Sequence, residues 1–259
     1  TFSDRRPVTD VLLTFGSATL ELAIYTLIVA LIVGLPLGML AAYYRDRGPD
    51  AILRVFAIFT YATPVFFSGL IMKLIFGVWL GWLPVSGRAS IATELQLQML
   101  PDPSGIYLID AIRTGSMANV VDVLLHAILP ALTLGMMFAG VFLRLVRTNM
   151  IGTIGREYID SGRSRGVGEY RLVTKHAYRP ALIPILTVIG LQIALLLGGA
   201  VLTETTFEWK GLGFQLAHYL SARDFVAVQG IVALLAVIVA LSNFVVDVLA
   251  ALIDPRVRY

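Results

Sequence analysis

The most distinctive acidic and small residues of this sequence stand close together in one short segment, where the acidic residues are followed by the small ones. In chain order they are Glu157, Asp160, Ser161, Gly162 and Gly166. The acidic residues suit the first turns of a helix, whose N-terminus is positive, and the last glycine suits a left-handed stop. We therefore predict a short helix over 155–165.

The glycine at position 162 indicates what this helix could do. A glycine inside a helix costs up to about 1 kcal/mol, so its presence needs a reason. Close approach of another protein is one such reason, which makes the helix a candidate docking surface. A connecting helix that lies on lipid headgroups is the alternative.

Residues that support catalysis are few and lie far apart. The three histidines are His126, His176 and His218, and no His-Glu-x-x-His motif is present. The Gly-x-x-x-x-Gly-Lys-Ser/Thr phosphate loop is also absent from the sequence, and with no cysteine the chain has no thiol chemistry. We assign no catalytic residue and no metal site, which disfavours an intramembrane enzyme.

Most of the chain must lie in a bilayer. Of its 259 residues 58% are hydrophobic and only 14% are charged, with a mean hydropathy of +0.83; soluble proteins carry about 25% charged residues. Apolar windows long enough to span a membrane occur near 18–44, 52–83, 124–146, 181–203 and 229–252. The predicted fold is an all-α polytopic bundle with five transmembrane helices, forming a single transmembrane domain over 1–259.

Two polar residues inside the predicted spans stand out, because polar groups are costly in hydrocarbon. Glu21 lies in the first span and Gln192 in the fourth. Both are candidates for lining a translocation route, with hydrogen bonding between helices as the alternative.

Basic residues set the predicted orientation. Eight Lys and Arg residues lie between Arg144 and Arg179, and three lie in the turn from Arg45 to Arg54, whereas 84–123 and 204–228 hold two each. The positive-inside rule places the loop 150–180 in the cytoplasm and the latter two segments outside. It also places residue 1 outside; with no signal peptide, this predicts an earlier sixth helix. The small net charge of +3 gives no reason to expect nucleic acid as a partner.

The second outer segment begins with two large aromatic residues. Phe207 and Trp209 lie just after the fourth predicted span. Because these residue types are enriched at membrane interfaces, we expect this stretch to fold against the interface.

The cytoplasmic loop resembles the EAA loop of ABC importer permeases. The likeness lies in a pattern in which one acidic and two small residues are followed, after three further residues, by a glycine, here Gly166. In this sequence Asp160, Ser161 and Gly162 replace the Glu, Ala and Ala that give the loop its name. Further stretches resemble the dipeptide, oligopeptide and nickel branch of that family over the whole chain. They are Glu157-Tyr158, Lys175–Pro184, Leu80–Pro84, His126–Leu134, Gly211–Gly213 and Asp254–Tyr259.

This resemblance implies a type I, MetI-like permease of the bacterial cytoplasmic membrane that imports dipeptides or oligopeptides. It implies that the loop contains a coupling helix for a separate ATPase, which would bind ATP and Mg, and that this chain holds no cofactor. Expected partners are a second homologous permease, one or two ATPase subunits and an extracytoplasmic peptide-binding protein that docks on the outer segments. The alternatives are a nickel importer permease of the same family, a channel, or an intramembrane enzyme.

Overall fold

The computed structural model describes residue 1 and residues 5–253, apart from a number of side chains between 183 and 199 and between 246 and 253. The C-terminal stretch 254–259, which contributes to the resemblance, lies outside the described residues. Among the described residues, the first of two compact units comprises Thr1–Leu27, Pro64–Leu134 and Leu195–Val239. The second comprises Ile28–Thr63, Gly135–Ala194 and those from Ala240 onward.

Every regular element in the described part of the chain is helical. The α-helices are α1 Val8–Tyr43, α2 Gly48–Ala62, α3 Val65–Met72, α4 Ile91–Gln98, α5 Tyr107–Arg113, α6 Met117–Ile154, α7 Glu157–Ser164, α8 Glu169–Arg171, α9 Tyr178–Phe207, α10 Leu212–Ser221 and α11 Phe225–Ile253. Two π-helical stretches, Lys73–Trp79 and Leu172–Ala177, follow α3 and α8.

Each predicted span coincides with a helix, or with a helix pair. Among the described residues, α1, α6 and the part of α11 up to Val245 are long and apolar enough to cross a membrane, and α2 with α3 and its π-helical extension qualifies as one broken span. The predicted span 181–203 lies within α9. Helix α1 begins ten residues before the predicted span and α6 seven, because a hydropathy window detects only the apolar part of a helix.

The break between α2 and α3 falls at Thr63 and Pro64. Thr63 is extended, with φ −76° and ψ 127°, as expected before a proline, whose ring also removes a backbone donor. Pro36 has no such effect, because α1 continues through it. Gly34 and Gly38 there approach α6 so closely that an added Cβ would lie 2.8 Å from the carbonyl oxygens of Ala139 and Leu143.

The aromatic residues after the fourth span are packed inside the first unit. Phe207 is 1% exposed and Trp209 is fully buried, so the expectation that they fold against the membrane interface is wrong. Trp209 packs against Ala18 and Leu22, and its Nε1 donates a 2.8 Å hydrogen bond to the carbonyl oxygen of Ala18. A buried indole needs an acceptor for its N–H group, and the α1 backbone provides one.

The two predicted outer segments are themselves largely helical. Segment 84–123 contains α4, α5 and the start of α6, and segment 204–228 contains the end of α9, all of α10 and the start of α11. Their extracytoplasmic location stays a prediction.

Candidate docking helix and buried carboxylates

Helix α7 is the predicted docking helix, slightly shorter than expected. It runs from Glu157 to Ser164, because Arg156 before it is extended, with φ −88° and ψ 147°. Glu157 and Asp160 lie in its first turn, where their negative charges interact favourably with the positive end of the helix dipole.

The predicted left-handed stop at Gly166 is present, with φ +79°. The amide of Gly166 donates to the carbonyl of Arg163 at 3.0 Å, and that of Val167 donates to the carbonyl of Gly162 at 3.1 Å. Together these two bonds form a Schellman motif, which satisfies the last carbonyls of the helix. A glycine is favoured at this position because side chains with a Cβ are strained at such a φ.

The presence of a glycine at position 162 has a different explanation from the one inferred from the sequence. A Cβ added there would lie 2.8 Å from Cδ2 of Leu172, in the π-helical stretch of the same chain. Leu172 and the neighbouring Ile159 are both buried. The close approach at Gly162 is therefore internal packing, so this glycine is no argument for another protein.

The exposed residues of α7 lie elsewhere on the helix. Glu157, Asp160 and Ser161 are exposed, as is Tyr158, and Tyr170 beyond the turn is 72% exposed. A docking role would use this surface rather than Gly162. The coupling role of Glu157, Asp160, Ser161, Gly162 and Gly166 stays a prediction.

Arg163 organises the charges of this segment. It donates to Asp160 Oδ1 at 2.6 Å and, through two nitrogens, to both oxygens of Glu169 at 2.9 and 3.0 Å. These bonds lower the pKa of the Glu169 carboxyl below its ordinary value. The sequence analysis did not single out Arg163, although its spacing of three residues from Asp160 is a recognised signal for a helix pair.

Glu21 is buried in the first unit, and both of its carboxylate oxygens have partners. Its side chain is 2% exposed and forms an ion pair with Arg88. Its oxygens also accept hydrogen bonds from the Tyr25 hydroxyl at 2.8 Å and from the Leu108 amide at 2.9 Å. This arrangement joins α1 to the start of α5 and favours the structural alternative; lining of the route by Glu21 stays a prediction.

Arg88 is the residue of this cluster that sequence reasoning missed. It donates to the carbonyl of Gly105 at 2.9 Å, and its guanidinium lies 3.6 Å from the ring centre of Tyr107. The burial of Tyr107 raises the pKa of its hydroxyl. Arg88 is one of only two basic residues in 84–123, and this scarcity is the only available signal.

Glu204, counted in the outer segment by sequence, is fully buried within α9. Its carboxylate accepts from the Thr19 hydroxyl at 2.7 Å and from the Phe214 amide at 2.9 Å. Gln192, the second candidate for the route, is partly buried in the second unit. Its Oε1 has no hydrogen-bond partner among the described residues.

A family model covers most of this chain. The model, described as "binding-protein-dependent transport system inner membrane component", matches residues 34–259. The chain belongs to this family. The permease is therefore a multi-pass component of the bacterial cytoplasmic membrane, as the resemblance implied.

The relatives of this permease include several peptide transport proteins. It is 40% identical over 247 residues to the di/tripeptide transport system permease protein DppB of Pseudomonas aeruginosa, covering 95% of this chain and 72% of that protein. It is 38% identical over 258 residues to the dipeptide permease DppB of Escherichia coli K12, covering 98% and 75%. The glutathione permease GsiC of Escherichia coli is 34% identical over 255 residues, covering 98% and 72%.

Solved structures confirm the predicted MetI-like fold of the permease. An inward-facing structure of the MetNI methionine ABC transporter matches with a TM-score of 0.68 and 16% identity, covering 96% of this chain and 99% of that chain. A second crystal form matches with a TM-score of 0.62 and 18% identity, covering 93% and 96%.

Proposed function

We propose that this permease is one subunit of an ATP-driven importer that moves dipeptides and oligopeptides across the cytoplasmic membrane by alternating access. The observation that carries the proposal is the identity of 34 to 40% over nearly the whole chain with permeases named for short peptides. The same relatives favour peptide over nickel as the cargo. A permease subunit has a transport role, and we assign ATP hydrolysis to its partners.

The energy for transport would come from outside this chain. The sequence has no phosphate loop, so ATP and Mg would bind to one or two separate ATPase subunits. The exposed surface of α7 around Asp160 and Ser161 is the candidate contact with them. The C-terminal end of α7 supports this role, because the Schellman motif terminates the helix and Arg163 links it to Glu169 beyond the turn.

The remaining partners would be a second homologous permease and an extracytoplasmic peptide-binding protein. The outer segments 84–123 and 204–228 are the candidate surface for the binding protein. The ion pair of Glu21 with Arg88 and the hydrogen bonds of Glu204 hold parts of both segments against α1, which favours a stable docking surface.

The cargo is tested by uptake in the host. Deletion of the gene should abolish uptake of a labelled dipeptide, and expression of the full gene from a plasmid should restore it. Nickel uptake, measured in the same cells, should not change. Loss of nickel uptake with normal dipeptide uptake would overturn the peptide proposal.

The coupling role of α7 is tested at Ser161, which is exposed. Substitution Ser161→Trp should reduce peptide-stimulated ATP hydrolysis by the purified complex about 5- to 150-fold, the usual range for coupling between sites. Gly162 is unsuitable, because a bulky side chain there would first disturb the packing against Leu172. The matched control is Thr9→Trp, also at an exposed residue with a hydroxyl group but at the start of α1, outside α7 and both outer segments.

Membrane insertion and ATPase co-purification are measured on the same preparations. Normal insertion with lost stimulation in the Ser161 variant alone supports docking. Wild-type stimulation in that variant would mean that α7 is only a connector.

A further inference from the structure

The lining of a basic cavity in the second unit includes none of the residues of the docking helix or of the buried carboxylate networks. The cavity has a volume of about 420 Å³ and is formed by α2 and α6. Its lining residues are Arg54, Ala57, Ile58, Tyr61, Ala62, Gly140, Val141, Leu143, Arg144 and Arg147. The cavity therefore combines three arginines with a mainly apolar wall.

The positive charge around this cavity is only partly neutralised. Asp50, which is fully buried, forms a bidentate pair with Arg147 at 2.6 and 2.8 Å. Arg54 lies 3.7 Å from the same carboxylate, with its side chain 51% exposed. Among the described residues, Arg144 has no acidic partner, and its guanidinium lies 5.6 Å from the ring centre of Tyr61. In the part of the chain that the structure describes, the Asp50 carboxylate is thus shared by Arg54 and Arg147, with Asp46 acting on Arg147 without an ion pair, and Arg144 is left unneutralised.

The apolar wall continues from the arginines along the two helices. Ile58 and Tyr61 are 67% and 58% exposed, so the cavity is open along α2 rather than sealed. The positive-inside rule assigns this end of both helices to the cytoplasmic side. Anionic headgroups are abundant at that surface, and basic pockets between spanning helices are known to bind them.

We propose that this cavity binds one anionic phospholipid. Arg54 and Arg144 would hold the phosphate, and an acyl chain would lie along Ile58, Ala62 and Val141. Arg147 is already paired with Asp50, so it would contribute only a weaker, longer-range attraction to the phosphate. Charge complementarity selects a lipid with net negative charge, and the apolar wall distinguishes it from free phosphate.

The test uses the purified, delipidated transporter complex in neutral detergent. Native mass spectrometry measures binding of phosphatidylglycerol, with phosphatidylcholine as the neutral lipid and glycerol 1-phosphate as the soluble competitor. Wild type should prefer phosphatidylglycerol. The double variant Arg54→Gln/Arg144→Gln should weaken this binding roughly 30-fold, since one arginine near an anionic lipid is worth about fivefold.

A matched control is Arg45→Gln/Arg165→Gln, which removes two exposed arginines on the same predicted side but outside the cavity. It should bind phosphatidylglycerol like wild type. An equal loss in this control would mean diffuse surface attraction and would overturn the site. Equal binding of both lipids by wild type, or displacement by glycerol 1-phosphate, would overturn it as well.

The apolar part has its own test, which keeps all the arginines. Ala62→Trp places a large side chain in the cavity and should also weaken phosphatidylglycerol binding; unchanged binding would contradict the acyl position. A cysteine at Ile58, which would be the only one in the chain, reports a protein occupant by cross-linking. An efficient cross-link to the second permease in the native membrane would replace the lipid with a subunit interface.

Discussion

Two networks of arginine and carboxylate groups in this permease use the same chemistry in opposite surroundings. In the first unit, Glu21 and Arg88 are 2% and 6% exposed and hold together elements that lie far apart in sequence. In the α7 segment, Arg163 pairs with Asp160 and Glu169, and all three side chains are about half exposed or more.

The difference in exposure separates stability from presentation. A buried pair has lost its water, so removing either partner leaves an uncompensated charge, whereas an exposed pair exchanges readily with water. We expect the buried network to determine whether the outer segments fold. The exposed network should only orient α7 and leave its surface available.

The largest expected effect is that of Arg88→Ala. It leaves the Glu21 carboxylate buried without its cation and removes the contact with the Tyr107 ring. Breaking a buried pair in this way costs about 3 to 5 kcal/mol. Thermal melting of the purified complex should show a large fall in stability.

The control is Arg45→Ala, because Arg45 and Asp46 form an exposed pair. The free energy of unfolding of that variant should lie within about 1 kcal/mol of the wild-type value. Equal melting of the two variants would contradict the distinction between buried and exposed networks. Loss of peptide uptake by Glu21→Gln at an unchanged melting temperature would instead favour the route-lining role of Glu21.

A pair of glycines sharpens the comparison at a smaller scale. A Cβ at Gly213 would lie 2.5 Å from the Cα of Val201, which is backbone, whereas a Cβ at Gly162 would meet only the end of the Leu172 side chain. Gly213→Ala should therefore cost about 1 to 3 kcal/mol by overpacking.

Gly162→Ala should be nearly neutral, since Leu172 can move and alanine gains up to about 1 kcal/mol of helix propensity. Melting of both variants, with Gly168→Ala as a control at a site open to solvent, checks this order. A larger loss at Gly162 than at Gly213 would mean that the α7 segment is the more tightly packed of the two.

Hydropathy was sufficient to predict the long apolar helices of this permease, because a bilayer imposes length and polarity on each span, but not the shorter α4, α5 and α10. The stop at Gly166 was also predictable, because left-handed backbone restricts the residue type. The partners of Gly162, Trp209 and Glu204 were not, since they depend on contacts with Leu172, Ala18 and Thr19. The local sequence does not show which distant residues become neighbours in the fold. The surroundings of a glycine or an aromatic residue are therefore predicted from the average behaviour of that residue type.

The smallest expected effect concerns pH at Glu169. Arg163 lowers the pKa of this carboxyl from its ordinary value of 4.5. The ion pair therefore contributes its full stabilisation above pH 4.5, and this stabilisation is lost as the pH falls through the lowered pKa.

Spin labels on cysteines introduced at Ser161 and Tyr170, both exposed, report the orientation of α7 by their distance distribution. At pH 7 wild type should give a narrower distribution than Glu169→Gln, and 1 M salt should broaden it slightly. In strong acid the two should coincide. A pH dependence that persists in Glu169→Gln would assign the titration to another group, and identical distributions at pH 7 would show that the pair does not orient the helix.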